Sequence, residues 1–181
     1  MGVEVAINAA KLRDKDFPLP KRTDTTRILM LGDSITMGWG VEAANTVAEL
    51  LEADFNDRHP DRRFEVINAG VGNYNTAMEV AWFMSHGLAY EPDIVVLNYF
   101  VNDAEPTPSR RSGFLRERSA AYVFLANRID AAVRQYGGGD WLSYYRGLYT
   151  SDAPGWRHAQ QQIRELARVC QERNINLIIA N

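Results

Sequence analysis

The stretch Ile28-Leu29-Met30-Leu31-Gly32-Asp33-Ser34-Ile35-Thr36 decides how the rest of the chain is read. Its first half belongs to a short apolar run, Arg27 to Leu31, of the kind that forms a strand buried on both faces. Gly32 ends the run and lets the backbone turn sharply, so the hydroxyl of Ser34 is carried just beyond the strand's C-terminal end. The residues after it should open a helix or turn whose free N–H groups face a developing negative charge. On this stretch alone, a turn merely capped by Asp33 or Ser34 is as good a reading as a nucleophile.

Working outward, strands and helices alternate. Asn45 to Asp57 repeats apolar residues at helical spacing, with Val47, Leu50, Leu51 and Phe55 on one face. Phe64 to Asn68 reads as a second strand and Asn68 to Asn75 as a glycine-containing loop. Thr76-Ala77-Met78-Glu79 matches the capping box, which opens a helix at Thr76. Pro92 stops that region before a third strand, Asp93 to Asn98, and a polar loop with Pro106 and Pro108 follows. Helical spacing returns from Ser119 to Tyr136 and breaks at Gly137, Gly138 and Gly139. It resumes from about Gly155 to Arg173, ahead of a fourth apolar run, Ile175 to Ala180. This order predicts a doubly wound α/β domain, a parallel sheet covered on both faces. Residues 1–26, polar and punctuated by Pro18 and Pro20, read as an arm packed on a domain spanning 27–181. The chain stops at Asn181 directly after a buried strand, so the expectation is a fragment whose C-terminal part is missing.

Composition narrows the function classes. The 181 residues are 46% hydrophobic and 24% charged, which suits one globular domain with a full core. Twenty basic and 23 acidic residues are mixed along the chain, without the clustered Lys and Arg that nucleic-acid binding needs. The densest basic stretch, Ser109 to Arg118, holds Arg110, Arg111, Arg116 and Arg118 and reads as a solvated loop. Cys170 is the single cysteine, so no internal disulfide forms, and its amphipathic surroundings predict a buried thiol. No apolar run reaches the roughly 18 residues of a membrane span, and no signal-peptide core is present in this chain. Compartment and oligomeric state stay open, and nothing calls for a cofactor or a metal.

Three loops follow the first three strands and should emerge on one edge of the sheet. They carry Ser34, the segment Asn68-Ala69-Gly70-Val71-Gly72-Asn73, and Val101-Asn102-Asp103. Gly70 lacks a Cβ, so its N–H can approach a bound acyl oxygen closely; an ordinary loop glycine is the plainer reading. Asn102 can donate a side-chain N–H to the same oxygen while Asp103 braces the loop, although an isolated Asn-Asp pair is also turn chemistry. A hydroxyl, a glycine N–H and an amide on one edge are what a tetrahedral oxyanion requires.

These segments resemble the conserved blocks of the SGNH hydrolases, the GDSL-like esterases and lipases. Ile28 to Thr36 looks like the first block. Asn68-Ala69-Gly70 with Thr76 beyond it is similar to the second. Phe100-Val101-Asn102-Asp103 resembles the third, usually Gly-x-Asn-Asp, with Phe100 in place of the glycine and a changed loop packing expected there. The resemblance implies a flavodoxin-like three-layer α/β/α fold with a central parallel sheet. It implies Ser34 as nucleophile and backbone donor, with Gly70 N–H and the Asn102 side chain completing the oxyanion hole. The implied substrate is a small-molecule or carbohydrate acyl ester. A deacetylase and an O-acyltransferase both fit, because they share the acyl-enzyme.

The family draws its base from an Asp-x-x-His motif after the last strand, and this sequence has none. Of His59, His86 and His158, only His158 lies near a helix N-terminus on the edge shared with Ser34, with Asp152 upstream. It is the weaker candidate; the expectation is a base beyond Asn181 and a chain that by itself hydrolyses esters poorly. A competing, non-catalytic reading is a binding or receiver-like signalling domain in which Asp33 and Asp103 hold a metal or accept a phosphoryl group. It leaves Ser34 unexplained. A dinucleotide site is weaker still, because Gly70-Val71-Gly72-Asn73-Tyr74-Asn75 lacks the fingerprint's last glycine. The aromatic residues after Gly139, namely Trp141, Tyr144, Tyr145, Tyr149 and Trp156, read as core or lid packing rather than a substrate platform.

Overall fold

The computed structural model describes residues 3, 5–107 and 141–181. Strand β1, Thr25–Gly32, is buried almost throughout and runs into a single helical turn, α1, Ser34–Met37. Helix α2 spans Val47–Arg58, β2 spans Arg63–Gly70, and α3 spans Thr76–Ser85. Then come β3, Ile94–Asn98, α4, Trp141–Leu148, α5, Pro154–Glu172, and β4, Asn176–Ala180. The four strands form one sheet in the order β2-β1-β3-β4, and every pair is parallel. Parallel neighbours need crossovers, which the helices supply on the two faces.

Side chains alternate across β1 and sort into two cores. Leu29 and Leu31 face one side with Ile67, Val95 and Leu97, covered by Val80 and Phe83 of α3 and Leu166 and Cys170 of α5. Ile28 and Met30 face the other with Val66, covered by Ala48 of α2 and the partly buried Leu51 and Phe55. The result is the three-layer α/β/α architecture, with the strand order of a flavodoxin-like sheet. Burial of the Cys170 thiol, as expected, pushes its pKa up to about 11.

Four local readings are corrected. The last strand, read as buried, is not: as the edge of the sheet, β4 leaves Ile178 and Ile179 half-exposed. The predicted α2 face does not bury as a set: Val47 and Leu50 are exposed, and the covered stripe is Ala48, Leu51 and Phe55. The small Ala48 lets the helix approach the sheet, which turns Val47 and Leu50 outward. The capping box at Thr76 gives way to Asn75, whose side chain accepts the Met78 N–H at 3.1 Å. Thr76 is instead the first helical residue, and Glu79 points into the protein rather than back at the cap. The strand β2 also runs two residues further than predicted, because Asn68, Ala69 and Gly70 pair with Met30, Leu31 and Gly32.

Arg27, placed in the apolar run by its neighbours, is fully buried. It donates to Glu65 at 2.6 and 2.9 Å, to the Tyr90 carbonyl at 2.7 Å and to the Pro18 carbonyl at 3.1 Å. Leu12 inserts into the larger core. Among the described residues no helix is long and apolar enough to cross a membrane. The basic stretch Ser109–Arg118, the helix expected over Ser119–Tyr136, the glycine break after it and the Trp141 side chain lie outside the described residues.

Candidate active site

The register places Gly32 beside Gly70, so the ends of β1 and β2 open onto the same edge. A Cβ on Gly32 would meet Thr36 Oγ1 at 2.0 Å, so only glycine allows α1 to fold back over the strand end. Asp33 is the cap of α1: its Oδ1 accepts the Ile35 N–H at 2.9 Å, and its carbonyl accepts the Met37 N–H at 3.0 Å. The cap that the sequence left open between Asp33 and Ser34 is therefore taken by the aspartate. Ser34 is half-buried, and neither its hydroxyl nor its N–H hydrogen-bonds to a described residue.

The third loop is fastened to this turn. Asn102 Nδ2 donates to Asp33 Oδ2 at 3.1 Å, which leaves the second N–H of the amide available. Asp103 braces the loop by accepting the Phe100 N–H at 2.7 Å, and Tyr149 donates to the Val101 carbonyl at 3.1 Å. Phe100 keeps its backbone in this brace and leaves its ring half-exposed. Tyr149 also packs with Tyr99 and Trp156, in line with the packing role read for these aromatics.

Gly70 lies against the back of α1. A Cβ there would meet the Met37 backbone nitrogen at 2.3 Å and the Thr36 carbonyl carbon at 2.7 Å. Its N–H, however, donates to Asn68 Oδ1 at 3.0 Å. In the loop beyond, Val71 donates to the Gly32 carbonyl at 3.0 Å, while the N–H groups of Gly72 and Asn73 meet no described acceptor. Asn73 adopts φ +64°, a left-handed turn that asparagine tolerates.

Two cavities border the serine turn. One of about 390 Å³ is lined by Ser34, Gly38, Trp39, Val41 and Asn45. The other, about 240 Å³, is lined by Asp33, Thr36, Asn98, Tyr99 and Phe100. Ile35 and Val47 line both, as a ridge between them. No histidine borders either cavity. His59 and His86 cap the C-termini of α2 and α3 in exposed positions, and His158 is exposed on the first turns of α5.

Sequence reasoning missed the polar pocket beneath the site. Glu79 is 1% exposed, and both its carboxyl oxygens lack partners, as do Thr76 Oγ1, Asn102 Oδ1 and Asp103 Oδ1. Burial first, then the charges of Asp103 and Asp33, push the Glu79 carboxyl far above its ordinary pKa, so it holds its proton at neutral pH. Burial likewise raises Asp103, partly opposed by the Phe100 N–H. The available signal was helical spacing: Glu79 stands four residues before Phe83, on the face that packs on the sheet.

Among the described residues, no group of three or more His, Cys, Asp or Glu side chains is placed to hold a metal. A receiver-like phosphoryl acceptor must be open to solvent, whereas Asp33 is 4% and Asp103 1% exposed, and both oxygens of Asp33 are engaged. The geometry therefore does not favour that reading.

Comparison with known proteins places the chain in a family. The model of the GDSL-like Lipase/Acylhydrolase family matches residues 30–178. An acetylxylan esterase of Xylanibacter ruminicola is 31% identical over 97 residues, which cover 51% of this chain and 20% of that protein. The chain thus spans about a fifth of the length of this curated relative. Similar solved structures include a two-domain esterase (CEX) active on acetylated mannans, at 31% identity and TM-score 0.41, covering 44% of this chain and 22% of that one. TesA matches at 18% identity and TM-score 0.41, covering 84% and 77% of the two chains.

Proposed function

This chain belongs to the GDSL-like lipase/acylhydrolase family, and from that membership we propose that it is a serine esterase acting through Ser34. Ser34 Oγ attacks the ester carbonyl carbon, and the carbonyl oxygen becomes a tetrahedral oxyanion. Collapse of that intermediate breaks the bond to the alcohol oxygen, which leaves with the proton given up by Ser34 Oγ, and the acyl group stays on Ser34. Water then attacks the acyl-enzyme, one of its protons returns to Ser34 Oγ, and the acid is released. In an O-acyltransferase a second hydroxyl would take the place of water.

The oxyanion donors are the Ser34 N–H and the free N–H of the Asn102 amide, with Gly70 as the third. Gly70 can serve only when Asn68 Oδ1 swings off its N–H. Each such donor is worth roughly 2.7–4 kcal/mol in the transition state. His158 borders neither cavity, and the assigned roles stop at the nucleophile and its donors. The observation that carries this reading is the Asp33 carboxylate. By capping α1 it frees the Ser34 hydroxyl, and by holding Asn102 it brings the amide to the same turn. The acetylxylan esterase relative supports a carbohydrate-bound acetyl ester as substrate, which makes a deacetylase the activity to assay first.

A fluorophosphonate probe tests the assignment: with no base beside it among the described residues, Ser34 should react slowly, but its oxyanion donors should still make it faster than surface hydroxyls. Peptide mapping should find the label on Ser34 and lose it in Ser34→Ala. Labelling spread over surface hydroxyls, with Ser34 no faster than the rest, would sink the proposal.

A further inference from the structure

Trp39 is 75% exposed, the most exposed large apolar side chain among the described residues, and it lines the cleft that contains Ser34. An aromatic ring of this kind normally buries 150–250 Å², so exposure forgoes a substantial apolar gain. A loose loop could excuse it, but this loop is held firmly. Arg13 is buried and donates to the carbonyls of Met37, Gly38 and Val41 from beneath. From above, Trp39 N–H donates to the Ser34 carbonyl at 2.9 Å and Gly38 N–H to the Ile35 carbonyl at 3.0 Å. A buried arginine is thus spent on fixing the backbone that presents an exposed indole.

The surroundings select a ligand class. Gly38 and Gly40 flank the indole with left-handed backbone and no side chains, and a Cβ on Gly40 would meet nothing within 4 Å. Asn45, exposed on the same cleft, offers an amide that can donate and accept. A sugar ring has an apolar C–H face and a hydroxyl rim, so it needs both a flat platform and such an amide. A fatty acyl chain would need an enclosed apolar channel, and this cleft is open with a polar side chain at its border. We propose that the Trp39 loop is a saccharide subsite, in which a pyranose ring stacks on Trp39, meets Asn45 with its hydroxyls, and carries its ester to Ser34. The last step rests on the serine-esterase reading; the binding does not.

The test is calorimetric titration of the chain with unacetylated xylopentaose, followed by fluorophosphonate labelling with the sugar present. Binding should weaken about tenfold or more in Trp39→Ala and be largely kept in Trp39→Phe, which retains a ring. Saturating sugar should slow labelling of Ser34, and that protection should vanish in Trp39→Ala. Thermal melting of both variants separates lost stacking from lost folding, since Trp39→Phe must bind if only the platform matters. Absence of xylopentaose binding, or equal binding by Trp39→Ala, overturns the subsite while leaving Ser34 labelling to stand. Trp39-dependent binding without any labelling of Ser34 would instead keep the subsite and remove the esterase reading. Preference of the same cleft for octanoate over the sugar also overturns the proposal.

Discussion

Asn102 donates to the carboxylate of Asp33 at 3.1 Å across a separation of 69 residues, tying the third sheet-edge loop to the turn that carries Ser34. The other oxygen of the same carboxylate caps that turn through Ile35. Removing the amide in Asn102→Ala should slow acyl-ester turnover, or probe labelling of Ser34, by about 10²–10³-fold. Asp33→Ala should also slow it, through a misplaced Asn102 and an uncapped α1, and should cost stability of about 1 kcal/mol for the cap. Urea denaturation with labelling kinetics separates the two: Asn102→Ala also lowers the midpoint, by leaving the buried Asp33 Oδ2 without its donor, but should leave the cap of α1 in place and cost reactivity more than stability. Labelling by Asn102→Ala at the parent rate would remove the amide from the oxyanion hole.

Gly70 and Gly72 are two residues apart yet should respond differently to a methyl group. Gly70→Ala drives a Cβ into the Met37 backbone and pushes α1 off its seat, so both stability and Ser34 reactivity should fall. Gly72→Ala places its Cβ 3.8 Å from Met37 Sδ, an ordinary contact, and should fold normally. Melting temperatures of the two variants check this; similar losses would contradict the close packing of β2 on α1.

Glu79 ties stability to pH. Its folded pKa is raised above its ordinary value, so the stability conferred by the protonated form is complete below the unfolded pKa. It is lost as pH climbs through the raised value. Glu79→Gln keeps the shape and cannot ionise, so it removes the cost of a buried charge beside Asp103. It should therefore exceed the parent in stability by about 1–3 kcal/mol at alkaline pH, with a smaller difference at pH 5. Denaturant midpoints measured from pH 5 to 9 decide the matter, and parallel curves for parent and variant would refute it.

The Arg27–Glu65 pair is buried on both sides, with Arg27 at 0% and Glu65 at 4% side-chain exposure. Arg27→Met leaves a carboxylate without its main cationic partner and should cost about 3–5 kcal/mol. The double variant Arg27→Met/Glu65→Leu removes both charges and should recover most of that loss. A double-mutant cycle by chemical denaturation gives the coupling; additive losses would show that the pair acts independently.

The chain's local chemistry was enough for the strands and their order along the chain, because a buried parallel strand is an apolar run bounded by turn residues, as at Arg27–Gly32 and Asp93–Asn98. It was likewise enough to bring Ser34, Gly70 and Asn102 to one edge, since every parallel strand ends on the same side. Which polar group meets which was a tertiary matter. The pattern allowed either Asp33 or Ser34 as the cap, and the arrival of Asn102 from a distant loop goes with the choice of Asp33. Glu79 looked like half of a capping box until the packing of α3 on the sheet turned it inward, and Val47 and Leu50 looked like core until Ala48 seated α2. Arg27 and Arg13 are each buried among carbonyls supplied by remote segments, which nothing in their local sequence marks. Periodicity and turn chemistry act over a few residues and leave their marks in sequence, whereas burial and hydrogen-bond partnership depend on which segments the folded chain brings together.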